Sequence, residues 1–117
     1  MIYLDIKSMG GSISDSTTYL KLLNRKDTLS FKVKEVYVLE KDVTIGRAAQ
    51  NDIVLRDPYI SKNHAKITID EGEYFLEDLG SANGTFINDT RIFDVVKLRD
   101  GDRIRIGQVE FLFIEGD

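Results

Sequence analysis

The chain has 117 residues, 42% of them hydrophobic, enough for one domain with a packed interior. It has no cysteine and a single histidine, which excludes disulfides, thiol catalysis and thiolate metal sites and argues against zinc or iron, so no cofactor is expected. The net charge of −4 argues against a general nucleic-acid binder, although the balance is uneven, with 6 basic and 3 acidic side chains in residues 1–34 against 10 and 17 in residues 35–117.

Met1-Ile2-Tyr3-Leu4 meets Asp5 and Lys7 at once, so no signal peptide is read there and a cytoplasmic location is expected. No window reaches the roughly 18 consecutive apolar residues a membrane span needs. The short apolar start has two readings: an ordinary terminus, or the end of a removed membrane anchor that would hold the protein at the inner face of the membrane. Residues 8–18, SMGGSISDSTT, read as a flexible linker. Its hydroxyls, with Thr17 and Thr18 foremost, are either a plain spacer or kinase substrates able to reach a binding loop. Tyr19, Leu20, Leu22 and Leu23 fit a helical turn or an opening strand equally well. Residues 1–30 are therefore assigned to an N-terminal extension and 31–117 to a single domain.

From Phe31 onward the alternation is clear. A strand is expected over about 31–40, from Phe31, Val33, Val36 and Val38, and another starts at Val43-Thr44-Ile45. Gly46-Arg47 ends it, and Ile53-Val54-Leu55 is a short buried run. Asp57-Pro58, with the only proline, breaks the chain. Ala65, Ile67 and Ile69 point one way and Lys66 and Thr68 the other; Asp70-Glu71-Gly72 turns the chain, and Tyr74 to Leu79 returns as the paired strand. Residues 78–84 form a tight polar connection in which Gly80 and Gly84 supply positive φ. Thr85-Phe86-Ile87, then Ile104 and Ile106, then Val109, Phe111 and Phe113 complete the strands, with turns at Asn88-Asp89, Asp100-Gly101 and Gly107-Gln108. About ten short strands and no convincing helix after residue 30 are the profile of an all-β, two-sheet antiparallel sandwich.

Polar chemistry falls on the connections in three clusters: Gly46-Arg47, Ser61-Lys62-Asn63-His64 and Asn83-Gly84-Thr85. They supply a guanidinium, a hydroxyl and a carboxamide, groups suited to a phosphate and the backbone beside it. Each has a plainer alternative. Arg47 either holds two phosphate oxygens or pairs with Asp52 five residues on. Ser61 is a phosphate donor or a turn cap, Lys62 a phosphate contact or a solvated lysine, and Asn83 a ligand for peptide backbone or a turn asparagine. A Ser61–His64 catalytic dyad is rejected, because three residues at a strand start do not bring imidazole onto hydroxyl and no third group orients the ring. With no paired-carboxylate or nucleotide-loop pattern either, an enzyme is not expected.

In this order and spacing, the clusters closely resemble the signature of a forkhead-associated (FHA) domain. Asn51-Asp52-Ile53, Asp78-Leu79-Gly80-Ser81 and the closing Asp100-Gly101-Asp102 and Ile106-Gly107 are similar to the family as well, so the resemblance covers roughly residues 33–115. It implies a sandwich of about eleven strands that binds phosphothreonine peptides through its loops, often as part of a bacterial signalling scaffold. By resemblance, Arg47, Ser61 and Lys62 hold phosphate and Asn83 fixes the extended peptide. Gly46, His64, Gly84 and Thr85 support the loops, and Tyr59 and Ile60 set an apolar preference C-terminal to the phosphothreonine. Ala82 departs from the pattern, since many members carry Thr or Ser there; one polar contact is missing. Micromolar affinity, about −8 kcal/mol, is expected. The implied partner is a phosphothreonine-bearing protein modified by a separate Ser/Thr kinase. The alternative is a phosphate-independent adaptor using the same sandwich.

Overall fold

The computed structural model describes residues 14–23 and 35–117. Eleven strands form among them, in chain order β1 (Tyr19–Leu22), β2 (Val36–Val38), β3 (Val43–Gly46), β4 (Ile53–Val54), β5 (Ala65–Asp70), β6 (Glu73–Asp78), β7 (Thr85–Ile87), β8 (Thr90–Arg91), β9 (Val96–Lys97), β10 (Arg103–Ile106) and β11 (Val109–Ile114). A six-stranded sheet runs β2-β1-β11-β10-β7-β8 and a five-stranded sheet runs β4-β3-β5-β6-β9. Pairing is antiparallel except between β3 and β4, where Ile45 and Gly46 lie parallel to Ile53 and Val54.

The period-two pattern decides which face is buried. In β11, Val109, Phe111 and Phe113 are buried while Glu110, Leu112 and Ile114 are partly exposed. In β10, Ile104 and Ile106 point inward, and outside them Arg105 lies over the Phe86 ring at 4.0 Å. Ile45, Ala65, Ile67 and Leu76 of the other sheet meet them with no accessible surface. Tyr37 packs edge-on against Phe111 with ring centroids 6.0 Å apart, and Tyr74 against Phe113 at 5.4 Å. The hairpin turns fall where expected: Glu71 and Gly72 (φ 50° and 77°) join β5 to β6, and Asn88 and Asp89 (50° and 69°) join β7 to β8.

The expected boundary at residue 31 needs correction. β1 lies inside the stretch assigned to the extension, and it pairs with β11 on one side, Leu20 opposite Phe113, and with β2 on the other. Leu20 is fully buried, so the sandwich is incomplete without it. The second half of the expected linker is likewise tied down. The Thr18 hydroxyl accepts from Gly116 N at 2.9 Å, the Thr18 carbonyl accepts from Leu39 N, and Asp117 N donates to the Asp15 carbonyl. Thr18 is buried, and Thr17 Oγ1 accepts from Ser14 N, so neither hydroxyl sits on a free tether. Residues 1–13, with the anchor reading, and residues 31–34 of the expected strand lie outside the described residues.

Candidate phosphopeptide site

Three connections meet at the end of the sandwich where β3 finishes and β5 and β7 begin: residues 47–52, 55–64 and 79–84. Their backbones are laced together. Arg47 N donates to the Ser61 carbonyl at 3.0 Å, and Ala48 N to the Lys62 carbonyl at 3.2 Å. Gly46 makes this approach possible, because a Cβ there would run into the Lys62 carbonyl and stand 2.8 Å from Asn51 Nδ2. The buried Asn51 amide closes the same contact, donating to the Ala48 and Lys62 carbonyls at 2.8 and 2.7 Å.

His64 is the strut between the second and third loops. It is fully buried; its Nδ1 accepts from Ser61 N at 3.0 Å, and its Nε2 lies 2.9 Å from the Gly84 carbonyl. Since Nδ1 accepts, Nε2 carries the proton and donates. The ring therefore meets the Ser61 backbone amide and not its hydroxyl. Gly84, at φ 94°, has the left-handed conformation that turns its carbonyl toward the ring.

Asp78 organises the third loop. Its Oδ1 accepts from Gly80 N and Ser81 N at 2.9 and 2.8 Å, and its Oδ2 from the hydroxyls of Ser81 and Thr85 at 2.6 and 2.7 Å. Burial pushes the carboxyl pKa up, but these hydrogen bonds, those of the Ser81 and Thr85 hydroxyls foremost, outweigh it and hold the pKa below the ordinary 3.8. Thr85 is internal, fully buried. Asp57, also buried, braces the second loop: it accepts from Tyr59 N at 2.8 Å and reaches across to Gln108 N in the β10–β11 turn at 3.0 Å.

On this frame the expected ligand groups converge. Arg47 donates through Nε to the Ile60 carbonyl at 3.0 Å, which fixes the guanidinium and leaves its terminal nitrogens for another acceptor. The alternative pairing with Asp52 is not made, because that carboxylate accepts from Thr44 N at 2.9 Å and its hydroxyl at 3.3 Å. Ser61 Oγ accepts from Ala82 N at 3.1 Å and keeps its own proton to donate. Ala82 thus contributes through its backbone even though it lacks the hydroxyl. The Asn83 amide donates to the Tyr59 carbonyl at 2.8 Å, leaving its Oδ1 to accept. Lys62 is exposed beside Ser61, and Tyr59 is 55% exposed. With Asp57 turned inward and Asp52 held by Thr44, the outward charge of these loops is positive on a chain of net −4.

One expected residue does not belong. Ile60 was expected beside Tyr59 as a specificity residue, but its side chain is 1% exposed and packs under Gly107. The residue after an exposed Tyr59 points into the core, and only its carbonyl serves the site. In the other direction, Asn51, Asp57 and Asp78 hold the loops and had been given no role. The Asp78-x-Gly80-Ser81 spacing is an Asx-turn signal that marks Asp78; the others act through contacts distant in sequence. Among the described residues, no group of three or more His, Cys, Asp or Glu side chains is placed to hold a metal ion.

The sequence model of the FHA domain matches residues 43–107. FHA domain-containing protein FhaB of Mycobacterium tuberculosis is 39% identical over 69 residues, 59% of this chain but 44% of FhaB, so the chain spans less than half the length of that relative. Among solved structures, the FHA domain of CT664 from Chlamydia trachomatis superposes with a TM-score of 0.74 at 29% identity, covering 87% of this chain and all of that one. Mycobacterium tuberculosis EmbR, in complex with a low-affinity phosphopeptide, gives 0.72 at 35% identity over 97% of this chain and 28% of EmbR. Loops laced around a buried histidine, three outward polar groups at one rim and a sandwich of eleven strands among the described residues agree with that match, and the chain belongs to the FHA domain family.

Proposed function

We propose that this chain is a phosphothreonine-dependent binding module that recruits proteins phosphorylated by a separate Ser/Thr kinase in the cytoplasm. The observation that carries the reading is the convergence of Arg47, Ser61 and Asn83. Each is fixed by one bond to a neighbouring loop, and each retains a group directed elsewhere. Arg47 and Ser61 hold phosphate oxygens, with Lys62 adding charge, and Asn83 takes the peptide backbone beside them. Charge-assisted bonds of this kind contribute about 1.5–3 kcal/mol each. Catalysis has no support here, since the His64 ring nitrogens are committed to the Ser61 amide and the Gly84 carbonyl. Tyr59, with its exposed ring, favours an apolar residue C-terminal to the phosphothreonine.

Calorimetric titration of a degenerate phosphothreonine peptide pool, with phosphoserine and unphosphorylated pools as controls, tests the proposal. The phosphothreonine pool binds in the micromolar range, and Arg47→Ala lowers that affinity by about 100-fold or more while the fold survives, by the loss of two such bonds. Equal binding of the unphosphorylated pool, unchanged by Arg47→Ala, overturns it in favour of a phosphate-independent adaptor.

A further inference from the structure

Beside the three loops lies a feature that the phosphate-binding groups do not use. Arg91, in edge strand β8, drapes its side chain over Gly84: a Cβ on Gly84 would stand 2.6 Å from Arg91 Nε and 3.0 Å from its Cδ and Cζ. Gly84 directly follows Asn83, so Arg91 adjoins the residue assigned to the peptide backbone. The guanidinium also lies over the Phe93 ring, with its Cζ 5.4 Å from the centroid. Among the described residues no carboxylate pairs with Arg91. Phe93 is 80% exposed, the most exposed large hydrophobic side chain among them, with Val95 two residues on at 55%.

An unpaired arginine ordinarily samples many rotamers, and ordering it costs entropy. Here the glycine below and the ring beside it restrict where the guanidinium can lie. A planar guanidinium so restricted matches a carboxylate through two parallel N–H bonds, and part of its conformational cost is already met in the unbound protein. Lysine, with a point charge on a flexible stem, would not reproduce this geometry.

We infer that Arg91, held by Gly84 and Phe93, forms a second subsite that reads an acidic side chain of the bound phosphopeptide, on the flank that passes Asn83. The inference rests on the proposed phosphothreonine reading and deepens it. The occupant is the flank of the same peptide because the shelf is continuous with the Asn83 loop. The subsite differs in chemistry and place from the apolar preference assigned to Tyr59, which lies in the second loop and whose carbonyl accepts the hydrogen bond from the Asn83 side-chain amide.

The test is a glutamate scan. A phosphothreonine peptide with alanine flanks is compared with a set carrying one glutamate at each flanking position, for the wild type, Arg91→Gln and Phe93→Ala. Glutamine keeps the stem over Gly84, so the fold is retained. One position should show glutamate preferred over alanine by about twofold to fivefold, as for a semi-exposed ion pair. In Arg91→Gln that ratio falls to one, and in Phe93→Ala it falls toward one. The ratio is unmoved by a general loss of affinity, so a structural effect of either substitution does not imitate the result. A flat scan with phosphothreonine binding intact overturns the subsite alone, as does a preference that survives Arg91→Gln. Loss of phosphothreonine dependence altogether overturns the site and the subsite with it. A dimer in sedimentation that Phe93→Ala dissolves also overturns the inference, because a second copy would then cover the shelf.

Discussion

At the end of the sandwich that carries Arg47, Ser61 and Asn83, loop backbone is bonded to side chains that are themselves buried or half-buried: Asn51, Asp57, His64 and Asp78. At the opposite end the termini of the described chain meet the β9–β10 connection, where the caps are exposed Asp100, half-buried Asp102 and the buried Thr18 hydroxyl. Asp100 Oδ1 accepts from Glu115 N at 2.9 Å, and Asp102 Oδ2 accepts from Arg99 N at 2.8 Å. Both ends satisfy their backbone, as any folded loop must. The difference lies in where the satisfying groups sit. When the props are inside, the outward donors and acceptors of a loop stay available in a fixed arrangement. When a prop is a carboxylate at the surface, as Asp100 is, it takes up part of the outward face itself.

The sharpest way to break the contrast is to remove an internal prop. His64→Ala leaves the Ser61 amide and the Gly84 carbonyl without partners in a fully buried place and opens a cavity. A loss of about 3 kcal/mol or more is expected in urea unfolding, and peptide affinity falls with it. Gly46→Ala acts on the same end by intrusion: the added methyl meets the Lys62 carbonyl, which is backbone and bonded to Ala48 N, so it cannot swing away. The expected cost is about 1–3 kcal/mol, with the second loop displaced and phosphothreonine binding weakened. Normal stability and normal binding in both variants would show that the internal props do not set the rim.

Asp78 gives the contrast a pH dependence. Its folded pKa is depressed below the ordinary 3.8, so its contribution to stability is complete above that value and is lost as pH falls through the folded one. Unfolding free energy measured from pH 6 downward should therefore decline below about pH 4, and Asp78→Asn should flatten the decline. At neutral pH the same substitution costs about 2 kcal/mol, because an amide NH₂ faces donors that had a carboxylate oxygen. An unaltered acid slope in Asp78→Asn would assign the effect to other carboxylates.

How much of this was legible in the sequence follows from the range of each contact. Strands β10 and β11 keep a strict period of two over four and six residues and β5 does so as far as Thr68, so their buried faces can be read directly, whereas β6 carries Tyr74, Phe75 and Leu76 in a row and buries only Leu76. β8 and β9 are two residues each, too short to show a period, and they passed unnoticed. β1 was ambiguous because Tyr19, Leu20 and Leu22 are all buried, which alternation does not distinguish from a helical turn. Arg47, Ser61 and Asn83 were legible through the spacing of their clusters. The inward turn of Ile60 was not, since exposure of one loop residue says nothing of the next. The shelf at Arg91 depends on a side chain from β8 crossing a glycine of another loop, a meeting no local pattern encodes.

The smallest effect belongs to the far end. Asp100 caps the Glu115 amide from an exposed position, so water can replace it when it is removed. Asp100→Ala should cost about 0.5–1 kcal/mol in urea unfolding, and Asp100→Asn, which keeps an acceptor oxygen, less. Phosphothreonine affinity should be unchanged in both, because β10 and β11 run the length of the sandwich between this cap and the Asp57–Gln108 bond at the binding end. Paired strands transmit a local loss of this size poorly when their own ladder and core contacts remain. If Asp100→Ala lowered peptide affinity as far as Gly46→Ala does, the two ends would form one coupled unit, and the division between a propped rim and a capped base would fail.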